Sequence, residues 1–416
     1  MSLKAFVGRA GAPVRRAGAL ALLGAVASLV VAACGSASPS TSAPSAPGRV
    51  ALPIASSVTT AKATWAVVPV GAFWELLRTP AAGASWSNVT PPGVGDSGGL
   101  VVGPAPDQSL IAGFLPSALL KFSPVERTTN GTAWTPGLLP GALAHGPDVL
   151  SAGSGGIAWA VLASGAGTVV STSDGGSSWR GLVDERQLAA TAAGRQCGTT
   201  GVTAVADVGT SSGLLGVTCA RPGVVGIIEG HNAPGPDGWT LAGPRLGGAL
   251  ADGQARVLRL VGGTGWLFAL LAITTAGSNA GPGGQGLTVI AAWSGGAGQT
   301  WHESQALPLS AGTTLADIVS AGPVGLGVPR ATSLPVASVL IKRPTGSLEV
   351  EQLSATTAGW QRLPSVPART VVVAAVAGGP LEAVAVQGQF VQIWSRDPGS
   401  AYWRRIQTIL VPPGGS

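Results

Sequence analysis

Three cysteines, three histidines and one tyrosine stand among 18 carboxylates in a chain of 416 residues, and these few side chains bound the chemistry open to it. A metal centre needs Cys or His ligands at close spacings. Cys197 and Cys219 have 21 residues between them, and His145, His231 and His302 are scattered, so no metal is expected. No Ser-His-Asp order, phosphate loop or HExxH run occurs. Glycoside cleavage needs two carboxyl groups on one cleft. Glu229, Asp207 and Asp317 are acids that distant strands could bring together, but nothing around them singles them out. No residue is assigned a catalytic role, and no cofactor is expected.

The remaining thiol, Cys34, sits at the end of a leader. Residues 1–33 hold Lys4, Arg9, Arg15 and Arg16 and no acid, followed by an apolar run over 17–33. A basic start, an apolar middle and a small-residue end are the parts of a secretory signal. The closing Val31-Ala32-Ala33-Cys34 resembles the bacterial lipobox, which implies cleavage before Cys34 and acylation of its thiol. A signal anchor with an incidental cysteine is the alternative. Residues 34–49 are almost wholly Ser, Ala, Pro, Gly and Thr, too polar and turn-rich to bury a core, and read as a hydrated tether. Two or more acyl chains, palmitate in kind, hold a protein stably where one does not. The expected location is therefore the extracytoplasmic face of the cell membrane, reached by the general secretory route, with twin-arginine export as the other route. In that oxidising compartment Cys197 and Cys219 are an even pair, and a disulfide between them is expected.

Four of the 24 basic residues lie in the leader and none of the 18 acids do, so the rest carries 20 against 18, a net charge of +2. That is too little for a nucleic-acid footprint, and none is expected as a partner. Charged residues are 10% of the chain, against 64 glycines and 32 prolines, which disfavours long solvent-facing helices. Short runs rich in Val, Leu and Ile with Gly or Pro borders read as strands, among them 65–70, 202–208, 214–219, 266–273, 287–293, 336–341, 370–377 and 389–394.

What spaces these strands is a tryptophan repeat. Thr172-x-Asp174-x-Gly176-x-Ser178-Trp179 resembles the Asp-box of the sialidase-type, or BNR, β-propeller repeat. The carboxylate of such a turn accepts backbone N–H bonds, glycine takes the backbone angle other residues resist, and the indole starts the outer strand. Degraded copies end at Trp86, Trp301 and Trp403, and weaker echoes at Trp134, Trp239 and Trp360. The intervals of 48, 45, 60, 62, 59 and 43 residues fit four-stranded blades, the long ones with loop insertions over 183–200, 231–238 and 276–286. The resemblance implies an all-β propeller over 50–412, most simply with seven blades of four antiparallel strands and otherwise six or eight, before a tail at 413–416.

An active member of that family would need three arginines, one in an Arg-Ile-Pro motif, a tyrosine nucleophile primed by glutamate, and an aspartate acid. No Arg-Ile-Pro occurs, and the only tyrosine is Tyr402, beside the marker Trp403. Asp174 then reads as a turn clip. The expectation is a lipid-anchored module that is not an enzyme and binds an envelope protein or a glycan. The alternatives are a divergent glycoside hydrolase and a degenerating paralogue.

Overall fold

In the computed structural model the described residues are 56–60, 62–80, 85–91, 99–105, 109–115, 120–144, 149–163, 167–208, 212–231, 235–263, 265–275, 286–295, 298–321, 336–354, 357–376 and 379–412. The leader, Cys34, the tether and the tail lie outside them.

The described chain is all-β but for short helices. The first strands are β1 (Ser56–Thr59), β2 (Ala63–Val70), β3 (Phe73–Pro80) and β4 (Ser87–Asn88). A four-stranded sheet follows, with β5 (Leu100–Pro104), β6 (Leu110–Phe114), β7 (Phe122–Thr128) and β8 (Thr135–Pro140) in sequence order. The next is also four-stranded: β9 (Leu150–Ala152), β10 (Ala158–Leu162), β11 (Thr168–Thr172) and β12 (Arg180–Asp184). A nine-stranded sheet takes β13 (Thr199–Asp207), β14 (Ser212–Cys219), β15 (Gly226–His231), β16 (Thr240–Leu241), β17 (Gln254–Gly263), β18 (Trp266–Thr275), β19 (Gly286–Ser294), β20 (Trp301–Glu303) and β21 (Leu307–Leu309). Its two halves meet through one antiparallel pair, Thr218 on β14 with Arg256 on β17.

Then come β22 (Thr314–Ala321), β23 (Val336–Lys342), β24 (Leu348–Leu353) and β25 (Trp360–Arg362). They join β1–β4 in one eight-stranded sheet through a parallel pairing of β1 with β22, Ser57 opposite Val319. The last sheet is β26 (Thr370–Ala375), β27 (Leu381–Gln387), β28 (Phe390–Arg396) and β29 (Arg404–Leu410). Neighbouring strands elsewhere are antiparallel, as short turns between successive strands require.

The inner strands are covered on both faces and are apolar throughout, while outer strands such as β7 and β28 alternate buried and open residues. Every residue of β6 and of β10 is buried. Apolar clusters link the strands in a closed circuit. One joins β1–β3 to β5 and β6 through Trp65, Val67, Leu100 and Leu110. The next runs from β5–β8 through β9–β12 to β13–β15, with Trp159 at its centre. Others join β13–β15 to β17–β19, β17–β19 to β22 and β23, and β22–β24 to β26 and β27. The circuit closes where Val68, Leu77 and Trp86 pack on Val372, Val384 and Ile393. Trp86 reinforces that seam: its indole N–H donates to Glu382, and its backbone exchanges hydrogen bonds with the Gln407 amide at 2.8 and 2.7 Å.

The segment expected as a loop insertion over 183–200 is instead two short helices, α1 (Glu185–Ala190) and α2 (Ala192–Cys197). The cause is local. Asp184 accepts from Gln187 N at 2.7 Å while the Gln187 side chain accepts from Asp184 N at 2.9 Å, a capping box. Thr191 caps α2 at Gly194 N, and Gly198, at φ 67°, ends it in the left-handed conformation. The expected insertion at 276–286 lies, but for Gly286, outside the described residues.

Candidate ligand-binding groove

The best-preserved motif builds a turn between β11 and β12. Asp174 Oδ1 accepts from Ser178 N at 2.9 Å and from Thr172 Oγ1 at 2.7 Å, while Oδ2 accepts from Ser178 Oγ at 2.6 Å. The Ser178 bonds, side chain first, then the Thr172 hydroxyl hold this carboxyl down at about 2, so it is a fixed acceptor and a poor acid catalyst. Gly175 and Gly176 adopt φ 75° and 99°, and Trp179 Nε1 donates to Gly176 O at 3.0 Å.

A second turn of this kind underlies the weaker echo that ends at Trp134. Between β7 and β8, Asn130 Oδ1 accepts from Thr132 N at 2.9 Å and Ala133 N at 3.0 Å, and Thr128 Oγ1 accepts from Gly131 N at 2.8 Å. An amide oxygen replaces the carboxylate, and the turn is one residue shorter before Trp134. Its signal in the sequence is Thr-x-Asn-Gly three residues before the tryptophan, with Asn for Asp and one residue fewer.

All seven marker tryptophans lie at or just before a strand that is paired to its predecessor alone or lies at a sheet end: Trp86 before β4, Trp134 before β8, Trp179 before β12, Trp239 before β16, Trp301 opening β20, Trp360 opening β25 and Trp403 before β29. The indole N–H groups of six of them act as staples, Trp86 and Trp179 as described above. Trp239 bonds its own turn at Gly235 O, 2.9 Å. Trp301, Trp360 and Trp403 reach carbonyls just past the preceding short strand, Ala242 at 2.8 Å, Gln305 at 3.0 Å and Pro364 at 3.4 Å.

Cys197 and Cys219 form a disulfide with a Cα separation of 5.0 Å, tying the end of α2 to the end of β14. The carboxylates considered for catalysis do not share an open cleft. Asp317 is fully buried on β22, where it accepts from Ile318 N at 2.6 Å and Val373 N at 2.8 Å. Burial pushes its carboxyl up to about 7, opposed by the Val373 bond, the Arg259 charge and the Ile318 bond. Arg259 is buried too, its guanidinium donating to Ser57 O at 3.0 Å. Asp207 is buried at the end of β13, and Glu229 lies on β15. Among the described residues no group of three or more His, Cys, Asp or Glu is placed to hold a metal ion.

An open concavity among the described residues lies elsewhere, a groove of about 660 Å³ on the last sheet. Gln392 and Trp394 stand on one face of β28, two residues apart, while Val391 and Ile393 turn to the opposite, buried face. Tyr402 and Trp403 come from the β28–β29 connection, Gln387 from the end of β27, and Pro364, Pro367 and Arg369 from the link between β25 and β26. The Gln392 and Gln387 amides meet at 3.5 Å. Tyr402 is 75% exposed, the most open of the large apolar side chains among the described residues. None of the lining residues is an acid. Rings with apolar faces, beside amides and a guanidinium that donate and accept, suit a ligand with both C–H faces and hydroxyl groups. No motif in the sequence points to this groove, whose parts come from three separated segments.

No family model and no curated protein matches the chain. Among solved structures it is similar to a fungal lectin of Aleuria aurantia, described as a six-bladed β-propeller with a fucose recognition mode. That match has 13% identity over 76% of this chain and 96% of the lectin, with a TM-score of 0.38. It is also similar to a polysaccharide lyase of family PL25, an ulvan lyase, at 8% identity over 86% of this chain and 95% of that one, TM-score 0.44. A third is the GH93 α-L-arabinofuranosidase of Fusarium graminearum, at 10% identity over 75% and 92%, TM-score 0.37.

Proposed function

We propose that this chain is a seven-bladed β-propeller that binds glycan in the groove beside Tyr402 without cleaving it, and that acyl groups on Cys34 hold it at the outer face of a membrane. The blade count is supported by successive antiparallel runs of four, β1–β4, β5–β8, β9–β12, β13–β16, β17–β20, β22–β25 and β26–β29, with β21 as an accessory strand. The closed circuit of apolar clusters supports their arrangement as a ring. The Asp174 turn and its Asn130 counterpart support reading the repeat as an Asp-box.

The observation that carries the binding role is the groove lining: Tyr402, Trp403 and Trp394 for sugar faces, Gln387 and Gln392 for hydroxyl groups, and no carboxylate. A hydrolase needs two carboxyl groups roughly 5 to 10 Å apart across the scissile bond, which this lining does not offer. The test is a glycan array followed by calorimetric titration of the best ligand. Binding is expected, with Tyr402→Ala weakening it about tenfold through loss of the exposed ring while leaving the melting temperature unchanged. A protein that captures no glycan, or whose best glycan ignores Tyr402→Ala, refutes the proposal.

A further inference from the structure

Resting on that glycan-binding reading, we propose that the saccharide held in the groove is acidic, a carboxylated sugar of the uronic-acid kind, and that Arg369 is the residue that recognises its charge. The stretch from 364 to 412 carries Arg369, Arg396, Arg404 and Arg405 against only Glu382 and Asp397. Glu382 is turned away, its carboxylate taken by the Trp86 indole of the opposite neighbour. Asp397 sits in the β28–β29 connection and is not part of the lining.

Two arginines of the preceding sheet are already answered: Arg343, just after β23, pairs with Glu349 at 2.7 Å, and Arg362 on β25 pairs with the same carboxylate. Arg369 has no carboxylate partner among the described residues, and it is exposed in the groove wall. Arg405, from β29, lies 6.0 Å over the ring of Trp394, which places a second cation against a lining side chain.

Backbone geometry adds an independent observation. Arg369 has φ 64°, a left-handed conformation that glycine adopts freely and an arginine does not. The turn is fixed around it: Thr370 N and Oγ1 donate to Pro367 O at 3.3 and 2.7 Å, and Val386 N donates to Arg369 O at 3.1 Å. A rigid turn thus presents the guanidinium at a position where a glycine would be the relaxed choice. A planar guanidinium matches a planar carboxylate with two parallel hydrogen bonds, which is why the charge is assigned to a carboxylated sugar.

The experiment is calorimetric titration of the full chain with hexagalacturonate and with its neutral counterpart, a 1,4-linked galactohexaose, at low and high salt. The acidic probe is expected to bind about tenfold tighter at low salt, the gain of one charge-assisted pair. That preference shrinks as salt screens the exposed charges. Arg369→Gln is expected to bring the two probes within about twofold of each other, read as the ratio of their affinities. Arg369→Gly, which relaxes the backbone, gives the same loss and guards against a folding defect. Equal affinities in the native chain, or an acidic preference that survives Arg369→Gln, overturn this inference and leave glycan binding standing. Binding of neither probe by a chain that captures a glycan on the array likewise overturns this inference and leaves glycan binding standing.

Discussion

Asp317 makes the stability of the ring depend on pH in a direction opposite to that of a surface carboxylate. The carboxyl is fully buried on β22, and burial lifts it from the ordinary 3.8 to about 7 despite the hydrogen bonds from Val373 and Ile318 and the nearby Arg259 charge. The folded chain therefore holds a proton that the unfolded chain releases. The sign follows from linkage: the contribution is complete below about 4, falls as the pH rises through the interval, and is gone above about 7. Moving a carboxyl between those values corresponds to roughly 4 kcal/mol at most. Glu382 adds a smaller change of the same sign, because burial raises it too and the Trp86 bond only partly opposes this. The assay is urea unfolding at pH 5 and pH 8, read as the difference in midpoint at constant slope. The native chain is expected to be the more stable at pH 5. Asp317→Asn lowers stability at both values, since it aims an N–H donor at a backbone N–H, so the variant is judged on its pH difference, which should nearly vanish. A native chain that gains stability from pH 5 to pH 8, or an Asp317→Asn variant with the native difference, refutes the reasoning.

Other outcomes follow from single contacts. A Cβ at Gly194 would meet the Leu188 carbonyl oxygen at 1.9 Å, so Gly194→Ala should destabilise by about 2 kcal/mol or more, measured by thermal unfolding. Reducing the Cys197–Cys219 disulfide should cost on the order of 3 kcal/mol by the loop-entropy model, visible as a lower urea midpoint. Trp86→Phe leaves Glu382 without its indole donor and should cost about 1 to 3 kcal/mol, with earlier proteolysis at the seam between the first and last sheets. Asp174→Asn should be well tolerated, because Asn130 already performs this task in a neighbouring turn, whereas Asp174→Ala should lower the melting temperature. Arg369→Gly should raise stability by about 1 kcal/mol as the left-handed strain is released.

Sequence periodicity was informative where one short motif does one local job. Trp179 with Asp174 and Gly176 names its own turn, because the bonds that make it run between residues two to four apart. The tryptophans after weaker motifs still mark short outer strands, since the indole staples to a neighbour even where the Asp is gone, as Trp301 does at Ala242. The two helices were missed although Asp184 and Gln187 carry a capping box, because the surrounding small residues were read as loop. The groove was illegible for a different reason. Gln387, Trp394, Tyr402 and Arg369 meet only after three strand connections are folded, and no local spacing records that meeting. Likewise, nothing local distinguishes Asp317 from the other acids; its raised pKa comes from burial under strands distant in sequence, among them β26, whose Val373 N–H partly opposes the shift.

The parallel seam between Ser57 and Val319 has a consequence for how the molecule is made. The first of the described strands, β1, finds one of its lasting neighbours only when most of the chain has followed. Until then the opening hairpin exposes an unpaired edge, a surface prone to aggregation while synthesis continues. A chain cut short before Thr314 would lack that neighbour altogether, so its beginning should be as sensitive to truncation as its end.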